Sequence, residues 1–131
     1  IQYVFVNLKT LYVPLGVGHH VDHQIVRDWG IEIYKRHPSV DIRFYEEYPY
    51  TRDQGAIDAA LDALPDDLPL TAELMFVDKF ALAAKIQAIA CHRSQLSTFW
   101  RDQTEMVRDI QASFCIGEGV YGERYWNLKD K

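Results

Sequence analysis

The chain has 131 residues, 48% of them apolar, with a formal net charge of -5 at pH 7. This suits one domain with a sizeable core and excludes a disordered chain. The acidic balance argues against a general nucleic-acid-binding surface, and no apolar run approaches the ~20 residues that span a bilayer. The first residues, IQYVFVNLKT, do not read as a leader. Cys91 and Cys115 have no CxxC spacing and are expected as free, buried thiols of a reducing compartment, so a cytoplasmic location is expected.

In chain order, residues 1–6 are apolar and fit either a strand or a helix end. TLYVPL (10–15) predicts a buried strand that ends at Pro14, because proline cannot donate to a ladder. GVG (16–18) is a turn. A helix follows from Asp22, with Ile25, Trp29 and Ile33 on one face and Val26 beside them, and Pro38 stops it near His37. VDIRFYEEY (40–48) alternates, with Val40, Ile42 and Phe44 inward, as a half-buried strand does. A short helix from about Thr51 or Asp53 carries Ile57, Ala60, Leu61 and Leu64. TAELMFVD (71–78) predicts a strand, and Asp78 N-caps one long helix reaching about Leu96, with Phe80, Ala84, Ile86 and Ile89 on its apolar face. Arg101 to Phe114 predicts a helix with Met106, Val107 and Ile110 inward; GEGVYGERYW (117–126) reads as a glycine-rich loop and an aromatic C-terminal segment. Alternating strands and helices give an α/β class with a mostly parallel, Rossmann-like sheet flanked by helices. Three or four strands are few for a self-sufficient doubly wound domain.

The stretch LGVGHHVDHQ places three histidines and an aspartate in five positions, 19 to 23. It falls where a strand ends and a helix begins, and open α/β sheets bind ligands outside the carboxyl ends of their strands. Imidazole is the commonest metal ligand near neutral pH. His20 and His23, or His19 and His23, can share a helix face, while Asp22 can ligate or orient a histidine. The residue types alone leave two readings open: a metal or acid–base site, and a solvated helix start. The pattern is not HExxH, since His20 follows His19. GVG followed by Val21 breaks GxGxxG, which disfavours a dinucleotide site.

The stretch YVPLGVGHHVDHQIV resembles the PIG-L/LmbE-like deacetylases, metal-dependent enzymes that remove acetyl groups from N-acetylglucosamine-type amines. Their second signature is a strand ending in proline, a glycine-rich turn and H-x-D-H opening a helix, here His20-Val21-Asp22-His23. RFYEEYPY (43–50), the 78–96 segment with Lys85 and the Ser94-Gln95 pair, and GERYW (122–126) are similar to three further family stretches in the same order. The resemblance implies His23 as a ligand of Zn2+ or another divalent metal. It implies His20 beside the substrate carbonyl, as proton donor or oxyanion partner, and Asp22 as the orienter of a histidine. His19 stands where the family commonly has glycine and receives no family role.

The family's first signature, H-x-D-D near the N-terminus, supplies the remaining metal donors and the general base. It does not occur in this sequence, and the Pro65-Asp66-Asp67 run lacks the preceding histidine. Residues 1–131 are therefore expected to form a single domain that is the C-terminal part of a larger deacetylase-like domain, with an incomplete sheet. The implied function is removal of an acyl group from an N-acylated amine, a small N-acetyl sugar or conjugate, with no nucleic-acid partner. The chain alone is expected to lack a full active site. A non-catalytic metal-binding or interaction module is the competing reading. A half sheet exposes an edge strand and an apolar face, so self-association or pairing with the missing N-terminal segment is expected.

Among other residues, Lys85, Ser94 and Gln95 read as a solvated helix face, with a reach of Lys or Gln to substrate as the lesser alternative; Glu123 and Arg124 read as a surface ion pair ahead of a substrate role; and Glu46 and Glu47 read as a solvated strand end ahead of facing the metal crevice. Trp100 and Trp126 read as core or interface ahead of sugar-stacking platforms, and Tyr48 and Tyr50 flank Pro49 at a strand end, where a pocket lip is the lesser reading.

Overall fold

The computed structural model describes residues 7–128; the reading of residues 1–6 lies outside them. The strands are β1 (Thr10–Pro14), β2 (Asp41–Tyr45), β3 (Leu70–Val77), β4 (Cys115–Gly117) and β5 (Val120–Leu128). The helices are α1 (Val21–Arg36), α2 (Ala56–Asp62), α3 (Lys79–Ala90), α4 (Arg93–Phe99) and α5 (Gln103–Phe114). The sheet order is β1-β2-β5-β3, with β4 on β5. The backbone gathers into two compact units, one running to Glu73 and resuming at Arg124, the other Leu74–Glu123.

The α/β class holds, but the sheet is mixed rather than mostly parallel. β1 and β2 pair in parallel, while β2–β5 and β4–β5 are antiparallel. The difference comes from β5, which its glycines disguise as a loop. Glu118 and Gly119, the latter at φ +67°, make a two-residue reversal between β4 and β5. At Gly122 a Cβ would lie 2.9 Å from Ile116 and 3.1 Å from Leu74, so the glycine marks a close approach inside a strand.

In the first unit the alternation of β2 is as expected: Ile42 and Phe44 are fully buried between Asp41, Arg43 and Tyr45. They pack with Val13, Leu15, Val17, Ile31, Ala60 and Leu128. α1 crosses from β1 to β2, and of the expected face it buries Ile33 but not Ile25, Val26 or Trp29. Arg27, Gly30, Ile31 and Ile33 are buried, whereas Ile25 and Trp29 are 63% and 53% exposed. The reason is Gly30: a Cβ there would meet the Val13 methyls at 3.0 and 3.1 Å, so the bare glycine is what lets the helix lie down on β1. Apolar periodicity favoured the Ile25–Trp29 stripe because glycine carries no hydrophobic signal.

In the second unit Leu82, Trp100, Met106 and Ile110 are buried. Asp78 caps α3 as expected, its Oδ1 accepting from the Phe80 and Ala81 N–H groups at 2.9 and 2.8 Å. The expected single helix to Leu96 is two. Cys91 and His92 donate to carbonyls three residues back, Ala88 and Ile89, and His92 leaves helical dihedrals at ψ 53°. Phe80 and Ala84, expected inward, are exposed, with Leu82 taking the core position. α5 starts behind Asp102, whose carboxylate accepts from Glu105 N–H, while Glu105 reaches back past the cap to accept from Arg101 N–H. The Trp100 indole donates to Asp109 at 2.8 Å. Cys91 and Cys115 are free but exposed, not buried; each thiol sits beside a local carbonyl, Gln87 O and Gly117 O. Among the described residues no helix is long and apolar enough to cross a membrane.

The two faces of α1 separate cleanly in stability. Ile31→Ala is expected to cost about 2–4 kcal/mol, and Ile25→Ala to stay within about 0.5 kcal/mol, both read from urea denaturation midpoints. Equal losses at the two positions would place the buried face elsewhere.

Candidate functional site

The first unit brings the His19–His23 cluster to the C-terminal end of β1. Pro14 has no N–H, and the ladder is continued instead by Leu15 N–H, which donates to Tyr45 O at 2.9 Å. The chain then turns through Gly16 at φ +95° and Gly18 at φ +86°. Gly18 also meets a ring, since a Cβ there would lie 2.7 Å from Tyr50. Only glycine suits both the dihedral and the space.

The turn is held from outside by Glu47, two residues beyond β2. Its Oε1 accepts from Gly16 N–H at 2.7 Å and its Oε2 from Val17 N–H at 3.1 Å. Expected at a solvated strand end, Glu47 is instead 5% exposed. Buried N–H groups left without acceptors would cost about 1–3 kcal/mol each, so the carboxylate is recruited to a turn that has no ladder partner. Its neighbour Glu46 serves the other side, accepting from Arg124 Nε at 2.6 Å and Trp126 Nε1 at 2.9 Å. Glu46 and Glu47 thus tie β2 to β5 and to the glycine turn. The phenol of Tyr45 is held above its ordinary range, first by burial and then by the Glu47 charge.

His20 is the N-cap residue of α1, with extended dihedrals, and its side chain does not cap the helix. Its ring instead lies 4.5 Å from the Tyr50 ring and 5.4 Å from the His23 ring, centroid to centroid. This leaves an exposed imidazole for use beyond the fold. His23 is one turn in, with Nδ1 buried and no hydrogen bond formed. The Glu47 Oε1 stands 3.3 Å from that nitrogen. Asp22 is exposed in the first turn of α1. His19 is exposed with φ 59°, the left-handed conformation that favours glycine. Its carbonyl accepts from Gln24 Nε2 at 2.8 Å.

The other residues singled out have structural partners. Tyr50, weighed as a pocket lip, packs on His20 and over Gly18. Trp126 packs against the core. Glu123 and Arg124 do not pair with each other; Lys85 pairs with Glu123 and also lies over the Phe114 ring at 4.6 Å. Ser94 and Gln95 are exposed on α4. Sequence reasoning weighed Glu47 as facing the crevice but favoured a solvated strand end, and it left the bond to the turn unassigned. The available signal was the turn itself: consecutive N–H groups after a proline-terminated strand need an acceptor from somewhere.

A hydrolytic zinc keeps three protein donors and an open position. Among the described residues no three His, Cys, Asp or Glu side chains converge to hold a metal. His23 fits as one donor, because its buried Nδ1 leaves Nε2 as the nitrogen open to a ligand. The residues present do not fit a complete metal centre.

No family model matches the sequence, and no curated protein matches it significantly. Solved structures do. The A40926 pseudoaglycone deacetylase Dbv21 superposes with a TM-score of 0.77 at 23% identity, over 99% of this chain and 54% of that one. A triple mutant of the deacetylase of the teicoplanin biosynthetic pathway gives 0.74 at 23% identity, over 91% and 49%. The zinc-inhibited form of teicoplanin deacetylase Orf2 gives 0.70 at 22%, over 91% and 44%. The chain shares the fold of these deacetylases. It spans about half the length of those deacetylases.

Within that fold His19 bears a conformational cost, and among the described residues its ring has no hydrogen bond or ion pair that needs an imidazole. His19→Gly is expected to raise stability by about 0.5–1 kcal/mol, the relief of the left-handed backbone less the added freedom of the unfolded chain. A denaturant midpoint that falls instead would mean that the His19 ring holds the turn.

Proposed function

We propose that this chain carries part of the active site of a metal-dependent hydrolase that removes an acyl group, acetyl in the simplest case, from an N-acylated amine. The substrate class is an N-acetylglucosamine-type sugar or conjugate. Supporting this is one observation above all: His20 and His23 stand side by side on a glycine turn at a strand's C-terminal end, in a fold shared with the teicoplanin-pathway and A40926 pseudoaglycone deacetylases. His23 serves as a metal donor through Nε2. His20, exposed and unused as a helix cap, serves the substrate carbonyl or the departing amine as a proton donor. Asp22, at the mouth of the turn, contributes to orienting a histidine in the completed site. Zn2+ is the proposed cofactor; the remaining donors and the general base come from polypeptide outside residues 7–128. The same reading makes this chain part of a larger deacetylase domain that associates with the segment supplying them. The absence of a three-donor set among the described residues favours a second reading, a non-catalytic metal-binding or interaction module.

Calorimetric titration of the full chain with Zn2+ tests the reading. Weak binding is expected, falling at least about 10-fold in His23→Ala and unchanged in His19→Ala. The chain alone is expected to release no amine from an N-acetylglucosamine conjugate. Zinc affinity indifferent to His23 would overturn the metal reading, and steady amine release without added polypeptide would overturn the partial-site reading.

A further inference from the structure

We propose that Glu47 is a positioning residue that fixes the proton of His23 on Nδ1, so that the Nε2 lone pair faces outward from the turn. The inference deepens the role given to His23 above and rests on that reading for its use, though not for its test. Three observations carry it. Glu47 is 5% exposed and reaches the turn from 24 residues beyond His23, on a different element. Both its oxygens are already engaged, Oε1 with Gly16 N–H and Oε2 with Val17 N–H, so the carboxylate cannot swing away from the ring. His23 Nδ1 is buried, forms no hydrogen bond, and has Glu47 Oε1 at 3.3 Å.

The chemistry then selects one tautomer. A neutral imidazole has one N–H and one lone pair. With Nδ1 bare, a lone pair would face a carboxylate oxygen in a buried place, two acceptors with no proton between them. With Nδ1 protonated, the contact becomes N–H to carboxylate and needs only a better alignment. Histidine ligands generally gain orientation and basicity from such a partner on the other ring nitrogen. Catalytic hydrogen bonds are commonly long before the site is complete. The demand is for a carboxylate specifically. Gly16 and Val17 present donors to two different oxygens, and a glutamine offers one oxygen and an NH2 group, which would face a donor.

The same carboxylate therefore sets both the turn and the ring. Any displacement of β2's end moves His23 and the Gly16–Val17 N–H groups together. His20 lies outside this arrangement, since its neighbour is Tyr50 rather than Glu47.

The test is long-range 1H–15N NMR of the histidine rings in the metal-free full chain at about pH 8, above the ~6.5 of an ordinary imidazole. His23→Ala assigns the resonances. Wild type is expected to show His23 as the Nδ1–H tautomer. Glu47→Gln is expected to lose that pattern to Nε2–H or to a mixture, with His20 unchanged. A purely structural Glu47 would leave the tautomer as it was in folded Glu47→Gln, and that result overturns the proposal. So does Nε2–H at His23 in wild type, which decides the matter even if the variant does not fold. A positive tautomer result beside zinc binding indifferent to His23 would keep this proposal and remove the metal reading.

Discussion

The turn between β1 and α1 depends on a carboxylate that arrives from a distant part of the sequence. Gly16 and Val17 point their N–H groups into the protein where no strand can answer them, and Glu47 answers both, from 31 and 30 residues away. That fastening holds the turn on which the candidate site begins. It requires β1 and β2 to be in their observed register, with Leu15 N–H on Tyr45 O as the last rung before the turn. Beyond the turn α1 begins, with His20 at its N-cap and His23 one turn inside. A buried polar group is stable only when its partners are complete. The turn and the carboxylate therefore stabilise each other, and neither can be changed alone.

Two adjacent glutamates just beyond β2 do different work. Glu47 goes in to the turn, while Glu46 goes to Arg124 and Trp126 of β5. The Glu46-Glu47 pair is thus the junction between a parallel β-α-β unit and an antiparallel strand. An ion pair at a half-exposed arginine contributes little to stability by itself. The Trp126 indole adds a second donor to the same Glu46 oxygen, so the junction is defined by geometry more than by charge.

Much of this was legible in the sequence. β1, the glycine turn, β2 and the cap at Asp78 follow from apolar runs, turn residues and a short side-chain acceptor, signals that act within a few residues. What was not legible acts at a distance. The face of α1 was decided by Gly30 against Val13, a contact signalled by the lack of a side chain. β5 was hidden because Gly119 and Gly122 lower strand propensity locally while serving a reversal and a close approach. Glu47 read as a solvated strand end because its partners are backbone N–H groups, which leave no residue signature. The His20-x-x-His23 pair was visible as spacing; its neighbours Tyr50 and Glu47 were placed by tertiary structure.

The arrangement also bears on what one imidazole can do by itself. A histidine free to rotate offers either nitrogen and gives up orientational freedom on binding any ligand. His23 has surrendered that freedom in folding: Nδ1 is buried at Glu47 and the ring is confined beside His20. Pre-organisation of this kind favours a ligand without adding a contact to it. It does not substitute for missing donors, since a hydrolytic metal needs three from the protein, and the described residues bring no three together. On the proposed reading, the division of labour is therefore uneven. This chain supplies a pre-set donor and an exposed acid, and the polypeptide that completes the fold supplies the charge. Such a split makes the metal the element that joins the two, so metal affinity and association of the two parts are linked quantities: each is strengthened by the other by the same free energy.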